Sequence, residues 1–275
     1  KTNIRLSGSR TIARPEFREI APFQFFDFEQ LASTIGNETL KRSSILNGDL
    51  RYEFYPKGGE LLSFGLFYKY FQDPIELRLN PESGGTRRVY VFQNAEKANL
   101  QGLEIEFRKS LDFVSSTSSF LSDLYFNGNI TGILSKVTLQ NIAAGGEQLA
   151  STSRPLQGQS PYLINAGFQY DNKDKGLGFS MLYNRIGQRL ALVGNTSFPD
   201  IYENPRDLVD LQISKKVFKG NGEVKLTASD ILNQRIMTYQ NVDSKKVYKE
   251  GTDRVFSSYT PGTTFSLGFN YNFKL

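Results

Sequence analysis

The 275-residue sequence contains neither cysteine nor histidine. Without cysteine the chain can form no disulfide bond and no thiolate metal site. Without histidine it cannot build a Ser-His-Asp triad or a histidine-ligated metal centre from its own residues. We therefore predict that the protein is not an enzyme, and we expect no catalytic, cofactor-binding or metal-binding residues in it.

Long hydrophobic runs and basic tracts are missing too. No stretch approaches the roughly 18 apolar residues of a membrane-spanning helix. The 33 Lys and Arg residues are interspersed with 28 Asp and Glu residues, so no segment resembles one that follows a nucleic-acid backbone, and we predict no nucleic-acid partner. The chain begins with Lys1 and lacks a signal peptide. We interpret it as a piece of a longer protein, in which case missing targeting signals say nothing about location.

Aromatic residues, by contrast, are abundant, with 22 Phe and 14 Tyr. At the end of the chain they alternate with polar residues, so that Phe265, Leu267, Phe269, Tyr271 and Phe273 share one face. Because the side chains of a strand point alternately to its two faces, this pattern predicts a β-strand with one apolar face. A soluble sandwich would bury that face, whereas an outer-membrane barrel would turn it toward lipid.

The same alternation predicts ten strands along the chain. They are Thr2–Ala13, Asp49–Tyr55, Leu61–Phe71, a strand in two pieces (Arg87–Phe92 and Asn99–Leu111), Leu121–Leu139, Tyr162–Tyr170, Leu177–Tyr183, Leu208–Lys216, Glu223–Ser229 and Thr263–Leu275. Their connections alternate between a few residues and about fifteen to thirty-five, which is typical of outer-membrane barrels with short periplasmic turns and long extracellular loops. A sandwich gives no reason for this alternation.

We therefore predict an all-β fold, an antiparallel transmembrane β-barrel. Two alternatives remain open from the residues alone. One is a soluble β-sandwich that serves as a binding module, and the other is a small, self-contained, porin-like barrel.

Two segments invite a functional interpretation. Arg14–Gly48 spans about 34 residues and holds the aromatic cluster Phe23, Phe25, Phe26 and Phe28; connections of that length are often functional or disordered. We expect either a loop that packs its own aromatic side chains or a ligand-facing loop.

The second segment carries Glu104 and Glu106, whose carboxylates point to the same side of a predicted strand. Such a pair could serve general acid–base chemistry. Since no other catalytic group accompanies it, we favour a polar wall of the barrel lumen.

Five segments, in order, resemble the C-terminal half of the barrel of TonB-dependent outer-membrane receptors. They are Ser9–Glu19 (SRTIARPEFRE), Leu50–Lys69 (LRYEFYPKGGELLSFGLFYK), Asn94–Glu106 with its Gly-Leu-Glu-Ile-Glu end, Asp230–Gln234 (DILNQ) and Gly268–Phe273. The sequence departs from that pattern in two places. Asp230 stands where Asn is usual, and the chain ends at Leu275, two residues after the aromatic Phe273.

The resemblance covers essentially residues 1–275 and implies a barrel of about 22 strands with a plug in its lumen. This chain would supply about the last ten strands, and the plug would lie outside it. The resemblance implies an outer-membrane receptor that takes up a scarce, large substrate by TonB-coupled active transport. Its partners would be outer-membrane lipid and lipopolysaccharide, the TonB energy-coupling complex, and a small-molecule, siderophore or glycan ligand. No motif identifies the ligand-binding residues, which stay unknown at this stage.

Overall fold

The fold is dominated by one long antiparallel meander, which we call the wall. The computed structural model describes residues 1–28, 32–80, 89–115, 117–138, 153–195, 198–243, 245 and 247–273. The ten strands of the wall are β1 (Thr2–Ala13), β4 (Ser43–Phe54), β5 (Leu61–Gln72), β8 (Lys97–Ser110), β9 (Leu124–Thr138), β11 (Tyr162–Asn172), β12 (Leu177–Ile186), β15 (Arg206–Val217), β16 (Gly222–Ser229) and β19 (Thr264–Tyr271). The two-residue strand β10 (Ser153–Arg154) pairs with β9. Ten strands in this order confirm the sequence prediction.

Short turns join the strands at one end of the wall. One of them contains the 3-10 turn Leu111–Phe113 and the short helix α2 (Ser119–Ser122), and another contains the 3-10 turn Phe218–Gly220. Gly176, in the tightest turn, has a φ of 59°. A Cβ at this position would lie 2.8 Å from the Cβ of Lys216, so the backbone conformation favours glycine and the available space requires it.

The apolar face of the wall is exposed. Leu50, Leu66 and Leu103 lie opposite one another on adjacent strands, and between 43% and 54% of each residue's surface is accessible. Ser63, on the other face of β5, is buried. The structure thus confirms the predicted separation into an apolar and a polar face.

Only one neighbour is present for each terminal strand of the wall. Among the described residues β1 pairs with β4 alone, and β19 pairs with β16 alone. The described part of the wall is therefore an open sheet.

The five long connections lie at the opposite end, and four of them, all but the connection after β9, form two four-stranded sheets, which we call the crown. One sheet has the order β2 (Gln24–Asp27), β3 (Ala32–Ile35), β7 (Val89–Asn94), β6 (Ile75–Leu79), and the other has the order β13 (Arg189–Leu192), β14 (Ile201–Glu203), β17 (Ile236–Gln240), β18 (Arg254–Tyr259). The helical turn α1 (Phe17–Ile20) precedes β2. A parallel bridge between Arg78 and Val193 links the sheets, and the Leu79 N–H donates to the Val193 carbonyl at 2.9 Å.

The principal apolar core of the chain lies in the crown. Leu77, Leu79 and Tyr90 of one sheet pack with Leu192 and Ile201 of the other. A second cluster joins Leu190, Val193, Tyr202 and Tyr239. The link between the sheets is therefore apolar as well as hydrogen-bonded.

Several sequence predictions need correction at the long-connection end. Arg14–Gly48 is not one loop, because β2 and β3 lie within it and the wall strand begins at Ser43 rather than Asp49. The piece predicted at Arg87–Phe92 is not part of the wall; β7 belongs to the crown, and residues 87 and 88 lie outside the described residues.

The predicted strand Leu121–Leu139 begins instead at Leu124, since α2 occupies the preceding residues. Its predicted last residue, Leu139, lies outside the described part of the chain, as do residues 274 and 275 of the predicted final strand. Within the described residues, no helix has the length and apolar character needed to cross a membrane.

Candidate functional site

The crown encloses a cavity of about 600 Å³ that opens to solvent. Every one of the five long connections contributes to its lining, for example through Thr34, Leu77, Gln157, Leu192 and Phe256. A cavity of this size is within the range of small-molecule sites in proteins. Because five separate connections converge on it, we take it as the candidate functional site.

Gln157 fixes one side of the cavity. Its Oε1 accepts from the Leu77 N–H at 2.8 Å, and its Nε2 donates to the carbonyl oxygens of Leu77 at 3.2 Å and Ala191 at 2.7 Å. One side-chain amide thus joins the edges of both crown sheets to the third long connection. It satisfies backbone groups that β6 and β13 would otherwise leave unpaired.

A buried ion pair lies in the cavity wall. The Arg154 guanidinium donates to the two carboxylate oxygens of Glu76 at 2.8 Å and 2.5 Å, and the two side chains are only 4% and 1% exposed. This forked geometry matches guanidinium to carboxylate. It ties the connection after β9 to strand β6.

Asp200 lies near this pair and accepts the Gly194 N–H at 2.9 Å. Burial raises the pKa of the Asp200 carboxyl above its ordinary value, against the lowering effects of that hydrogen bond and of Arg154 and Arg78. Burial therefore disfavours the charged form of Asp200 itself.

Two partly exposed ion pairs also contribute to the cavity lining. Arg18 contacts Asp27 at 3.1 Å and lies 4.2 Å from the ring centre of Phe25. Arg189 donates to one oxygen of Glu203 from Nε at 3.0 Å and from Nη2 at 2.8 Å. Both pairs link chain segments at the cavity, and within each pair the two charges cancel.

Four further lining residues stand apart from these ion pairs. Glu16 and Glu19 form no ion pair among the described residues, and the Glu19 carboxylate accepts the Glu16 N–H at 2.9 Å. The hydroxyl of Thr34 is buried without a hydrogen-bond partner. Tyr259 also lines the cavity and keeps about half of its surface (52%) accessible.

The polar face of the wall carries a second set of charged groups. Glu53 is contacted by Arg5 at 3.1 Å and by Arg51 at 3.0 Å, and Arg51 also pairs with Glu106. Glu104 and Glu106 both lie on β8, facing the polar side, as predicted for a lumen wall. The Glu106 carboxylate is engaged in the ion network rather than poised beside a catalytic partner.

An asparagine ladder continues this polar face across three strands. Asn184 donates to Asn165 at 2.6 Å, and Asn165 donates to Asn129 at 2.7 Å. Paired amides of this kind satisfy one another and give the wall a continuous polar surface. Across the described residues, no group of three or more Asp and Glu residues is arranged to hold a metal ion.

The aromatic cluster in the first long connection packs its own rings together, which is the first of the two predicted alternatives, and none of its four rings belongs to the described cavity lining. Its rings contact each other, Phe23 with Phe25 at 6.2 Å and Phe26 with Phe28 at 5.2 Å between centres. Phe25 also supports Arg18, which lines the cavity. The remaining cavity residues have no local sequence signal, because they come together only when the five connections converge.

The comparison with protein families decides the assignment. The family described as the outer membrane protein beta-barrel family matches residues 1–271, which is almost the entire chain. The chain belongs to this family. It is therefore an outer-membrane β-barrel protein, with its exposed apolar face toward lipid, its short turns periplasmic and its crown extracellular.

Solved structures agree on the fold of this family member. It resembles a G324V mutant of the ferric enterobactin receptor PfeA from Pseudomonas aeruginosa (18% identity, TM-score 0.59), with coverage of 99% of this chain and 38% of that one. For the siderophore receptor PirA from Acinetobacter baumannii the identity is 15%, the TM-score 0.58 and the coverages 99% and 39%. The FrpB iron transporter from Neisseria meningitidis is 14% identical, with a TM-score of 0.51 and coverage of 86% of this chain and 31% of that one.

The similar structures are described as a ferric enterobactin receptor, a siderophore receptor and an iron transporter, which supports the predicted resemblance and favours a barrel over a soluble sandwich. Receptors and a transporter, not enzymes, are thus the similar structures, in line with the prediction that this chain is not an enzyme. At these identities the likeness shows the fold, and the chain spans less than two fifths of the length of PfeA and about two fifths of PirA. No protein with a curated description is detectably similar in sequence.

Proposed function

We propose that this chain forms the C-terminal portion of the barrel of a TonB-dependent receptor. The open edges of β1 and β19 support this proposal, because an unpaired edge within lipid leaves backbone polar groups unsatisfied. Further strands, supplied by residues outside 1–275, would close the barrel. A separate plug would fill the lumen against the polar face that carries Arg51, Glu53 and the asparagine ladder.

The proposed activity is uptake of a scarce, large ligand that binds in the crown cavity. The observation that carries this proposal is the convergence of all five long connections on one solvent-open cavity at the extracellular end of a membrane wall. Ferric siderophores are the ligand class that we favour, since PfeA is described as a ferric enterobactin receptor and PirA as a siderophore receptor. The TonB energy-coupling complex would act through the plug to release the ligand inward.

Outer-membrane lipid and lipopolysaccharide are further proposed partners. The exposed apolar face of the wall suits acyl chains. Lys136 is exposed at the extracellular end of β9 and is placed to meet the phosphate groups of lipopolysaccharide.

Binding and uptake of radiolabelled ferric siderophores by cells that carry the complete receptor would test this function. We expect saturable binding and an uptake that is lost when the TonB complex is inactivated. Ile236→Trp should lower binding, because Ile236 lines the cavity and the larger ring would occupy it.

Val247→Trp is the matched control for that substitution. Val247 belongs to the same long connection, is exposed and does not line the cavity. Binding that survives Ile236→Trp unchanged, or uptake that is independent of the TonB complex, would contradict the proposal.

A further inference from the structure

The charges that line the crown cavity do not balance. Five carboxylates lie in the lining, those of Glu16, Glu19, Asp27, Glu76 and Glu203. Three of them are neutralised, Asp27 by Arg18, Glu203 by Arg189 and Glu76 by Arg154. Glu16 and Glu19 are left without an ionic partner among the described residues, so the described lining carries a net negative charge.

Other groups in the same lining can accept the polar and apolar parts of a ligand. Thr34 is only 1% exposed, and its Oγ1 makes no hydrogen bond, although a buried hydroxyl without a partner costs free energy. A ligand that reaches this hydroxyl would recover that cost. Tyr259 offers an accessible aromatic ring, and such rings attract cations over their faces.

Building on the proposed function, we infer that the cavity selects a positively charged ligand, namely a ferric chelate with a pendant ammonium group, over an anionic chelate. The ammonium would lie near Glu16 and Glu19, while the rest of the chelate packs on Tyr259 and Phe256. An anionic chelate would meet uncompensated carboxylates at the same place. Arg18 and Arg189 already pair with Asp27 and Glu203, so neither brings an uncompensated positive charge to the cavity.

Three versions of one ferric trihydroxamate chelate would test the inference on the complete receptor in outer-membrane preparations. The first keeps a free terminal amine, which is protonated at neutral pH; the second has this amine acetylated and is neutral; the third has it succinylated and is anionic. All three share the same iron centre. We expect affinity to fall in that order, by roughly tenfold from the first to the third at low ionic strength, and the difference to shrink with added salt.

A double variant, Glu16→Gln with Glu19→Gln, should bind the amine, acetylated and succinylated chelates with nearly equal affinity. Glutamine preserves the shape of both side chains, and its amide oxygen can still accept the Glu16-position N–H. The control is Glu38→Gln with Glu250→Gln, which removes the same charge from exposed crown positions outside the cavity lining. This control should leave the affinity order intact.

The outcomes separate the two proposals. If the succinylated chelate binds as tightly as the amine form or more tightly, the charge inference is wrong while the receptor function stands. The charge inference is equally wrong if the double variant and its control change the three affinities to the same extent. If none of the three chelates binds, both the charge inference and the siderophore proposal are contradicted.

Discussion

The wall and the crown use apolar side chains in opposite ways. In the wall, Leu66 and Leu226 point outward and about half of each residue is exposed, 54% and 50%. In the crown, Leu190 and Leu192 are almost completely buried between strands. The difference follows from the surroundings: lipid solvates the outside of the wall, whereas the crown stands in water and must enclose its own core.

Ion pairs are also more deeply buried in the crown than in the wall. The Glu76–Arg154 pair of the crown is buried, and the Glu106–Arg51 pair of the wall keeps about a third of each side chain exposed to the lumen side. Because water cannot replace a lost partner of a buried charge, removing one member of a buried ion pair costs more stability than removing one member of an exposed pair. Four predictions test these contrasts.

The largest effect should come from Glu76→Gln. The substitution leaves the buried Arg154 charge uncompensated, and we expect the crown to lose about 3–5 kcal/mol of stability. Hydrogen exchange of the amides in β6 and β10, measured on the protein in lipid, would detect the loss.

Glu106→Gln is the matched change in the wall, and it should cost about 1 kcal/mol or less because its partner stays solvated. Replacing both partners in the crown, as Glu76→Leu with Arg154→Met, should recover most of the stability that Glu76→Gln removes. Equal costs for Glu76→Gln and Glu106→Gln would refute the contrast in burial.

Leu190→Ala should destabilise the crown by about 2–5 kcal/mol, since it removes buried methyl groups and leaves a cavity between β13 and β14. Leu226→Ala in the wall should cost about 2 kcal/mol at most, because acyl chains fill the vacated space and only the transfer free energy is lost. Amide hydrogen-exchange rates in the crown and in the wall, measured in the same lipid, give the loss of stability for each variant. A crown that tolerates Leu190→Ala as well as the wall tolerates Leu226→Ala would show that its core is loosely packed.

Leu226→Arg should destabilise the wall by about 2–4 kcal/mol, because Leu226 lies between Ile213 and Leu267 on the lipid-facing side. Its neighbour Thr227 points to the polar face, opposite Gln212 and Ser266, so Thr227→Arg should cost far less. Equilibrium unfolding of the complete barrel from lipid vesicles would measure the two variants. Similar losses of stability in the two variants would mean that the lipid-facing and lumen-facing sides of β16 are wrongly assigned.

The smallest effect concerns Asp200 and has a defined dependence on pH. Its pKa is raised by burial, so the folded crown holds this proton at pH values where the unfolded chain has lost it. The associated stability is fully present below the ordinary aspartate pKa and declines as the pH rises through the raised value. Asp200→Asn should therefore make the crown more stable at pH 7 and have little effect near pH 3, measured by the exchange of the Gly194 amide.

In that experiment the asparagine oxygen can still accept the Gly194 N–H, so the comparison isolates the charge. An Asp200→Asn variant that is less stable than the unchanged protein at pH 7 would show that attraction to Arg154 and Arg78 outweighs desolvation.

The strand predictions succeeded where alternation was long and one-sided. In β5 the sequence places Phe64, Leu66 and Tyr68 on one face, and the structure exposes these three side chains on the lipid side. Apart from β7, which was predicted as a strand but assigned to the wall, the crown strands were missed because they are short. β13, for example, has only the four residues Arg189–Leu192, and no period of two can be recognised in so few positions.

The candidate site could not be located from the sequence for a related reason. Thr34, Gln157 and Phe256 lie in three different connections, separated by about a hundred residues or more. Their convergence depends on the meander bringing every second connection to the same end of the wall. Only Phe25, within the aromatic cluster of the first connection, gave a local signal close to the cavity.

The sequence by itself determined the wall: alternating side chains, the order of ten strands and the choice of which end carries long connections are local properties of the chain. The tertiary structure decided the crown, its buried Glu76–Arg154 pair and its cavity. The physical reason is the range of the interactions involved. Which face of a strand a side chain occupies follows from the alternation of nearby residues, whereas the crown is stabilised by contacts between connections that are far apart in the sequence.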